Sequence, residues 1–300
     1  MLQKNQMILG YIFAIGATAI WSGNFIIARG LSESISPISL AFYRWVVAVI
    51  IFLPLALKSL IAEWEIIKEN IPYLAFTSLL GITIFNTLIY FASHTTTAIN
   101  LSLISITFPV FIVILSRIFY HEAITVNKCI GILLVAIGII LLITKGSLSK
   151  LFDLSFAIGD IWMLIAALIF AIYSILLKRK PKHLSIWAFQ LSTFLLGLIF
   201  LCPFFIWEYA TSPPIEFDFQ IISSILYVGI FASLTAFVLW NKAIMVIGPS
   251  RAGMIYYTLP LFSGVSAYIF LNENIGTLHF YSALLIIMGI FIANYDTKKV

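Results

Sequence analysis

Long apolar runs separated by short polar connections make up nearly the whole of this 300-residue chain. A helix that crosses a bilayer needs about 20 consecutive apolar residues, because each residue adds about 1.5 Å across a hydrocarbon core about 30 Å thick. Runs of that length predict an all-α integral membrane protein with ten transmembrane helices. The predicted helices cover residues 7–28, 37–57, 72–92, 98–118, 127–144, 157–177, 185–206, 221–241, 250–271 and 277–295.

The composition is that of a protein whose surface faces lipid. Hydrophobic residues make up 62% of the chain and charged residues 10%, and the mean hydropathy is +1.10. Soluble domains carry about 25% charged residues. The connections are too short to hold a soluble domain, which excludes a separate catalytic or nucleic-acid-binding module. The pI of 9.1 therefore reflects lysines at the membrane surface, and no nucleic-acid partner is expected.

Positive charges between the predicted helices indicate how the chain is oriented. Cytoplasmic loops of membrane proteins carry an excess of Lys and Arg. With the N-terminus in the cytoplasm, thirteen Lys and Arg fall on the cytoplasmic side and three outside, while Arg44 lies within a span. We therefore expect a multi-pass protein of the plasma or inner membrane with both termini in the cytoplasm.

A second copy of the same pattern begins about 150 residues after the first. Residues 107–111 (Thr-Phe-Pro-Val-Phe) and 258–262 (Thr-Leu-Pro-Leu-Phe) lie 151 positions apart, each inside an apolar run. A glutamate follows each proline by thirteen residues, at Glu122 and Glu273. The sequence therefore predicts two related halves.

Each half holds five predicted helices. Because five is an odd number, equivalent helices would cross the membrane in opposite directions. An inverted repeat of this kind is typical of secondary transporters, whose substrate site lies near the membrane midplane between the repeats. We therefore predict an inverted repeat, residues 1–145 and 146–300, and transport of a small molecule rather than catalysis.

Several short motifs occur in a characteristic order along the chain. They are Trp21-Ser22-Gly23-Asn24-Phe25, Phe42-Tyr43-Arg44-Trp45, the paired proline-to-glutamate segments, and Gly248-Pro249-Ser250-Arg251-Ala252. On these motifs the chain resembles the EamA type of the drug/metabolite transporter superfamily over essentially its whole length. The resemblance implies a ten-helix transporter with a central cavity, in a family that often exports amino acids and related metabolites.

Aromatic, amide and hydroxyl side chains within the predicted spans mark a candidate substrate site. Lipid penalises polar groups that face it, so we expect these side chains to face protein or a wet cavity. Hydrogen bonding between helices and the aromatic belts at the membrane surfaces account for any one of them equally well. As a group they favour an aromatic, weakly polar cavity. The candidates are Trp21, Asn24, Asn86, Tyr90, Ser105, Tyr173, Trp240 and Tyr257.

Among the charged residues within predicted spans or near their ends, four are candidates for a role. Arg44 lies about seven residues inside the second span, where a charge is costly unless it is paired or reaches water. Either it holds helices together or snorkels outward, or it attracts an anionic group such as a substrate carboxylate. Glu273 is a candidate partner for it. Glu122, Asp160 and Glu273 precede or open helices, where a carboxylate stabilises the helix N-terminus.

Two prolines occupy matching places in the fourth and ninth predicted helices. Proline removes a backbone hydrogen bond and kinks a helix. Because the two positions match between the halves, Pro109 and Pro260 are predicted hinges.

Other classes of function receive little support from the sequence. It contains no phosphate-binding glycine loop, zinc-ligand spacing or nucleophilic triad, so we expect no catalytic residues, metal or cofactor. A membrane enzyme acting on lipid-linked substrates would need a cluster of buried acids or histidines, and the sequence shows none. An importer or exchanger of a nucleotide-like metabolite stays open beside an exporter of amino acids. The expected partners are a small-molecule substrate and the lipid bilayer, and monomer and homodimer both stay open.

The orientation can be tested by cysteine accessibility, with the two native cysteines replaced. A cysteine introduced at Ser212 should react with an impermeant thiol reagent in intact cells, because residues 208–218 are predicted to lie outside. A cysteine at His183 should be protected, since residues 178–183 are predicted to be cytoplasmic. The reverse labelling pattern would contradict the orientation.

Overall fold

The computed structural model describes residues 2–144, 157–271 and 276–295, and all regular structure in those ranges is helical. Helices occupy all ten predicted apolar runs. Glu273 lies outside the described residues. We label the helices α1 to α10, counting an interrupted helix once. They are α1 (Leu2–Gly30), α2 (Pro37–Ala62), α3 (Ile71–Thr95), α4 (Ala98–Ser105 and Thr107–Tyr120), α5 (Val126–Thr144), α6 (Ile158–Leu177), α7 (Ile186–Thr211), α8 (Phe219–Ile247), α9 (Pro249–Tyr256 and Leu259–Leu271) and α10 (Thr277–Asn294), with a further short helix at Trp64–Glu69.

Eight of these helices are long and apolar enough to cross a membrane, namely all except α5 and α9. Large apolar side chains cover the outer surface of the bundle: Ile50, Ile61 and Phe219 are 64%, 65% and 86% exposed. A surface of this kind is stable in lipid rather than in water. The prediction of an all-α integral membrane protein is therefore confirmed, whereas the number of ten spans stays a prediction.

α4 and α9 are both interrupted just before a proline. The break in α4 falls at Ile106, three residues before Pro109, and the break in α9 falls at residues 257–258, directly after Tyr256 and before Pro260. A proline has no N–H to donate, and its ring clashes with the carbonyl of the residue four positions earlier. Ile106 and Tyr257 keep right-handed helical backbone angles, so the structure has a short interruption of the helical hydrogen bonding in each helix where the sequence predicted a kink.

The two breaks are closed by the same local hydrogen bond. The Thr107 hydroxyl donates to the carbonyl oxygen of Ile104 at 2.7 Å, and the Thr258 hydroxyl donates to that of Ile255 at 2.8 Å. Each bond satisfies a backbone carbonyl that the interruption leaves without its usual helical partner. The sequence match between the two segments is thus also a match in local structure.

α3 and α8 each contain a π-helical segment, at Leu79–Ile84 and Val228–Thr235. Such segments are rare and frequently lie at functional sites. Close packing accompanies both of them. A Cβ atom at Gly81 would collide with the ring of Tyr173 in α6, and one at Gly229 would lie 2.6 Å from a side chain of α2. Glycine at these positions lets neighbouring helices approach the widened turns.

Helices of the first half pack against helices of the second. α1 packs against α8, α3 against α6, α2 against α7, and α5 against α10. The pair α5 and α10 packs closely at Gly131 and Gly289, where a Cβ atom added to either would lie within 2.6 Å of the carbonyl oxygen of the other glycine. Small residues permit such close approach between membrane helices. The remaining two helices, α4 and α9, pack against each other, α4 also against α6 and α9 also against α1.

Two carboxylates join the ends of α2 and α7 reciprocally. Glu208, near the end of α7, accepts hydrogen bonds from the backbone N–H groups of Ile38 and Ser39 at the start of α2, at 3.2 and 2.6 Å. Glu63, just after α2, accepts one from the N–H of Ser185 before α7, at 2.6 Å. A carboxylate satisfies the free donors of a helix N-terminus and interacts favourably with its dipole.

Candidate functional site

An aromatic cluster fills the interior where α1, α6 and α8 meet. The centroid of the Trp21 ring lies 5.3 Å from Phe170, 5.4 Å from Trp240 and 5.6 Å from Phe237. The Trp21 indole N–H donates to the carbonyl oxygen of Ala232, in the π segment of α8, at 2.9 Å. We call this group the aromatic cluster. Its members are Trp21, Phe85, Phe108, Phe170, Tyr173, Phe237, Trp240 and Tyr256.

The breaks in α4 and α9 lie against this cluster. Phe108 is the second residue after the break in α4 and Tyr256 directly precedes the break in α9, and their ring centroids are 4.7 Å apart. Phe108 also lies 4.9 Å from Phe170, and Tyr256 lies 6.3 Å from Trp21. Any change of angle at either break would therefore move a ring of the aromatic cluster.

The interior is closed in this conformation. A cavity of about 10 Å³ lies beside the aromatic cluster, which is room for about one water molecule. Sites for small organic ligands usually measure roughly 300 Å³ or more. The rings must therefore separate before a solute can enter. The cavity is lined by Trp21, Asn24, Phe25, Phe85, Asn86, Ile89 and Tyr256.

A contact between a tyrosine hydroxyl and an asparagine carbonyl occurs once in each half. Tyr90 in α3 donates to Asn24 in α1 at 3.3 Å, and Tyr173 in α6 donates to Asn241 in α8 at 3.0 Å. Asn24 and Tyr173 lie 149 positions apart, and Tyr90 and Asn241 lie 151 apart. Both offsets are close to the spacing of about 150 residues between the two halves, so the two halves form similar contacts with the two residue types exchanged.

Arg44 is fully buried next to one of these contacts. Its Nε donates to the Ser233 hydroxyl and its Nη1 to the Tyr90 hydroxyl, both at 2.5 Å. Its Nη2 has no hydrogen-bond partner within the described ranges, and no carboxylate there forms an ion pair with it. A charge at depth in a membrane costs at least about 2.5–3.5 kcal/mol, so this guanidinium is held at appreciable cost.

Gln190 of α7 forms a similar contact in the second half. Its side-chain oxygen accepts a hydrogen bond from Asn241 at 2.6 Å, just as Tyr90 receives one from Arg44. The Nε2 of Gln190 has no partner among the described residues, as is the case for Nη2 of Arg44. The two halves therefore build similar networks, one charged and one neutral.

The structure places three other predicted site residues outside the aromatic cluster. Asn86 lines the small cavity, and its amide N–H₂ donates at 3.2 Å to the carbonyl oxygen of Gly81 in the π segment of α3. Ser105 is buried at the end of the first part of α4. Tyr257 is buried at the break in α9, and the preceding Tyr256 takes the place in the cavity wall.

Sequence reasoning missed several residues of the interior. The chain contains 26 phenylalanines, and nothing in the sequence distinguishes the missed ones from the others as residues of the interior. One signal was available. Phe170 lies 149 positions after Trp21, close to the spacing of about 150 residues between the two halves. The missed residues are Phe85, Phe108, Phe170, Gln190, Ser233 and Phe237.

Asp160 joins the start of α6 to the connection between α3 and α4. Its carboxylate accepts hydrogen bonds from the backbone N–H of Ala157 at 2.8 Å, the Thr96 hydroxyl at 2.5 Å and the Asn100 amide at 3.1 Å. Its place at the helix N-terminus agrees with the sequence interpretation. No group of three His, Cys, Asp or Glu in the described part of the chain could hold a metal ion.

Glu122 does not cap α5, and that prediction is wrong. The hydroxyl of Thr125 accepts the hydrogen bond at the start of α5 instead. His121 ends α4 in a left-handed conformation, with φ of 53°, which turns the chain and directs Glu122 elsewhere. The Glu122 carboxylate accepts from Lys178 after α6 at 3.1 Å and from Ser250 at the start of α9 at 2.6 Å. It therefore links three helix ends.

A cavity of about 500 Å³ surrounds Glu122 at this end of the bundle. Three basic side chains and one acidic side chain line it among the described residues. We call this cavity the basic vestibule. Its charged lining residues are Glu122, Lys128, Lys178 and Arg251.

The chain belongs to the EamA-like transporter family, whose model matches residues 8–144 and 157–295. The matched residues cover most of both predicted halves. The resemblance stated from the sequence motifs is therefore confirmed, and the protein is a membrane transporter rather than an enzyme.

Individual relatives and a solved structure agree with this assignment. An uncharacterized transporter of Archaeoglobus fulgidus is 28% identical over 91% of this chain and 93% of its own. The uncharacterized transporters YyaM and YoaV of Bacillus subtilis are 24% and 26% identical, covering 96% and 95% of this chain and 97% and 96% of their own. A crystal structure at 16% identity aligns with a TM-score of 0.75 over 95% of this chain and 96% of its own, which shows the same fold.

The link through Glu122 predicts a defined pH dependence of stability. Burial raises the pKa of this carboxyl, but hydrogen bonds from Ser250 and Lys178 outweigh that effect, and the pKa lies below its ordinary value. The stabilisation from this link is therefore complete at pH values above the ordinary pKa of glutamate. It is lost as the pH falls through the lowered pKa of Glu122 in the folded protein. We expect thermal unfolding in detergent to show this loss between about pH 5 and pH 3.

Glu122→Gln should lower the midpoint temperature of thermal unfolding at pH 7, and should make that midpoint less dependent on pH below pH 5. The effect should be only about 0.5–1 kcal/mol, because part-exposed ion pairs contribute little. Glu216→Gln, in an exposed connection, is the control. Equal midpoints for the two variants at pH 7 would contradict the link.

Proposed function

We propose that the protein exports amino acids or related small metabolites across the cell membrane by alternating access between two inverted halves, residues 1–145 and 146–300. The observation that carries this proposal is the aromatic cluster, which lies where helices of both halves meet beside the duplicated tyrosine–asparagine contacts. Aromatic walls supply contact area, and neutral amides supply hydrogen bonds. This lining suits a zwitterionic or weakly polar solute with an apolar part, such as a larger neutral amino acid.

Polar links at both ends of the bundle support alternating access. In the orientation expected from Lys and Arg, Asp160 with Thr96 closes the external end, and Glu122 with Lys178 and Ser250 closes the cytoplasmic end. Both links are formed in this conformation. Breaking one while keeping the other would open the interior to one side at a time, and the basic vestibule would then be the cytoplasmic entrance.

The breaks in α4 and α9 are the proposed hinges. Phe108 and Tyr256 flank them and close the interior against Trp21 and Phe170. A bend at either break would withdraw one of these rings and enlarge the small cavity. Hinges commonly lie at element ends that absorb backbone rotation.

The proposed function can be tested by flux in proteoliposomes. Labelled leucine or phenylalanine should cross, and neutral aromatic or branched amino acids should compete. Trp21→Ala and Asn86→Ala should each lower the flux by at least about tenfold, since both side chains line the cavity. Trp64→Ala is the control, because that ring is 48% exposed on the short helix outside the bundle interior. Inhibition by diamines alone would contradict the substrate class, and uptake exceeding efflux in oriented vesicles would contradict export.

The hinges can be tested with two matched pairs of prolines. Pro109→Ala and Pro260→Ala should slow transport severalfold without changing expression or the unfolding midpoint by much. Pro54→Ala and Pro203→Ala are the controls, because α2 and α7 continue through these prolines without interruption. The two control prolines lie 149 positions apart and the two hinge prolines 151, so both pairs follow the repeat. Parent rates in both hinge variants would show that the breaks only serve packing.

A further inference from the structure

We propose that the Arg44 guanidinium binds a carboxylate of the transported solute, so that the substrates are organic anions or zwitterions. This inference rests on the proposed function, because it assigns the substrate class of the same interior site. It predicts that a neutral or cationic compound of equal size and shape is recognised much less well.

The charge of Arg44 lacks a counter-charge in the described part of the molecule. Asp160 and Glu208 are the buried carboxylates there. Asp160 is occupied by Thr96, Asn100 and a backbone N–H, and Glu208 by two serine hydroxyls and two backbone N–H groups. Arg44 itself bonds only to neutral hydroxyls, and its Nη2 has no partner. A buried charge left in this way calls for an anion.

A short hydrogen-bonded chain joins this guanidinium to the cavity. Arg44 donates to the Tyr90 hydroxyl, which donates to the side-chain oxygen of Asn24. Asn24 lines the small cavity beside the aromatic cluster. A solute that enters this cavity is therefore separated from Arg44 by Asn24 and Tyr90, and a movement of these two side chains would bring it to the guanidinium. Nη1 and Nη2 can together hold both oxygens of a carboxylate, the geometry that guanidinium groups favour.

The second half contains a neutral contact of the same kind, in which Asn241 of α8 donates to the side-chain oxygen of Gln190 in α7. That link between two helices needs no charge, so the positive charge of Arg44 is available for a role other than joining α2 to α3. This comparison also makes Arg44→Gln the natural test variant.

The charge of the basic vestibule agrees with an anionic substrate. Among the described residues, Lys128, Lys178 and Arg251 line it together with one acid, Glu122. An excess of one sign of charge in a cleft raises the local concentration of ligands of the opposite sign. A carboxylate would thus be attracted to the entrance and then bound at the interior site.

A matched series of four compounds tests the inference on the full-length protein. 3-Phenylpropionate is an anion, L-phenylalanine a zwitterion, 3-phenylpropanamide neutral and L-phenylalaninamide a cation, and all share one ring and chain length. Affinity is measured in detergent by the shift of the unfolding midpoint and by quenching of tryptophan fluorescence. We expect the two carboxylates to bind at least about tenfold more tightly than the two amides, because hydrogen bonds to charged groups are the strong ones.

Arg44→Gln should abolish this preference. Binding of the carboxylates should fall by at least about tenfold, to the level of the neutral amide, while binding of the amide changes little. Arg44→Lys should retain part of the preference and guards against a variant that fails to fold. Lys242→Gln is the matched control: it removes a charge from α8, where the amine lies over the rings of Phe13 and Trp187, and should keep the parent preference.

Three outcomes would overturn the inference. The first is carboxylates that bind the parent protein no better than the amides. The second is that replacing gluconate by chloride shifts the unfolding midpoint while carboxylates do not compete with the chloride. Arg44 would then hold an inorganic ion. The third is a carboxylate preference that appears only in Glu273→Gln, which would identify Glu273 as the counter-ion of Arg44.

Flux measurements with the same compounds separate this inference from the proposed function. Carboxylates that bind in an Arg44-dependent way but do not cross the membrane would support the recognition site and contradict transport of these solutes. Flux of all four compounds at similar rates in both the parent and Arg44→Gln would support transport and overturn the recognition site.

Discussion

Lipid provides no hydrogen-bond partners, and this constraint determines how the helices of the bundle face one another. Lipid tails are as apolar as leucine, so burial of apolar side chains does not by itself bring membrane helices together. Polar side chains instead bond across helices in the interior. Trp21 donates to the backbone of Ala232, Trp45 to that of Ile82, and Thr83 to that of Gly197. Each of these bonds sets the rotation of one helix relative to another.

The π segments of α3 and α8 take part in this arrangement. Ala232 and Ile82 both lie in such segments, and their carbonyl oxygens accept bonds from tryptophan side chains of α1 and α2. The widened turns change which residues share a helix face. Thr83 faces α7, where its hydroxyl donates to Gly197, whereas Asn86 and Tyr90, three and seven positions later, face the interior near α1. Regular helical spacing could not have shown this difference.

The aromatic cluster, the helix breaks and the polar links at the helix ends form one connected system. Phe108 and Tyr256 belong to the cluster and flank the breaks, and the helices they belong to lead to the ends where Glu122 binds Ser250 and Asp160 binds Asn100. Packed interiors tend to adopt discrete arrangements rather than deform continuously. Opening at one end would therefore move rings in the centre, which is the coupling that an alternating-access transporter needs.

The sequence predicted many individual residues of the candidate site, but it did not predict which of them contact each other. Trp21, Asn24, Tyr90, Tyr173 and Trp240 were expected in the interior because polar and aromatic groups at depth avoid lipid, and the structure places all five there. The pairing of Asn24 with Tyr90 and of Tyr173 with Asn241 could not be read from spacing, since each pair joins two different helices. Glu122 was misjudged for a similar reason, because its partners Lys178 and Ser250 lie 56 and 128 positions away.

The sequence by itself determined the membrane class, the positions of the helices, the interruptions at Pro109 and Pro260, and the family. Apolar run length, backbone chemistry and motif order act locally, and local signals can be read along a chain. Only the tertiary structure decided that Arg44 donates to the hydroxyls of Tyr90 and Ser233, and that the aromatic rings close the interior. Those facts depend on how distant helices are rotated against each other, and that rotation results from many contacts acting together.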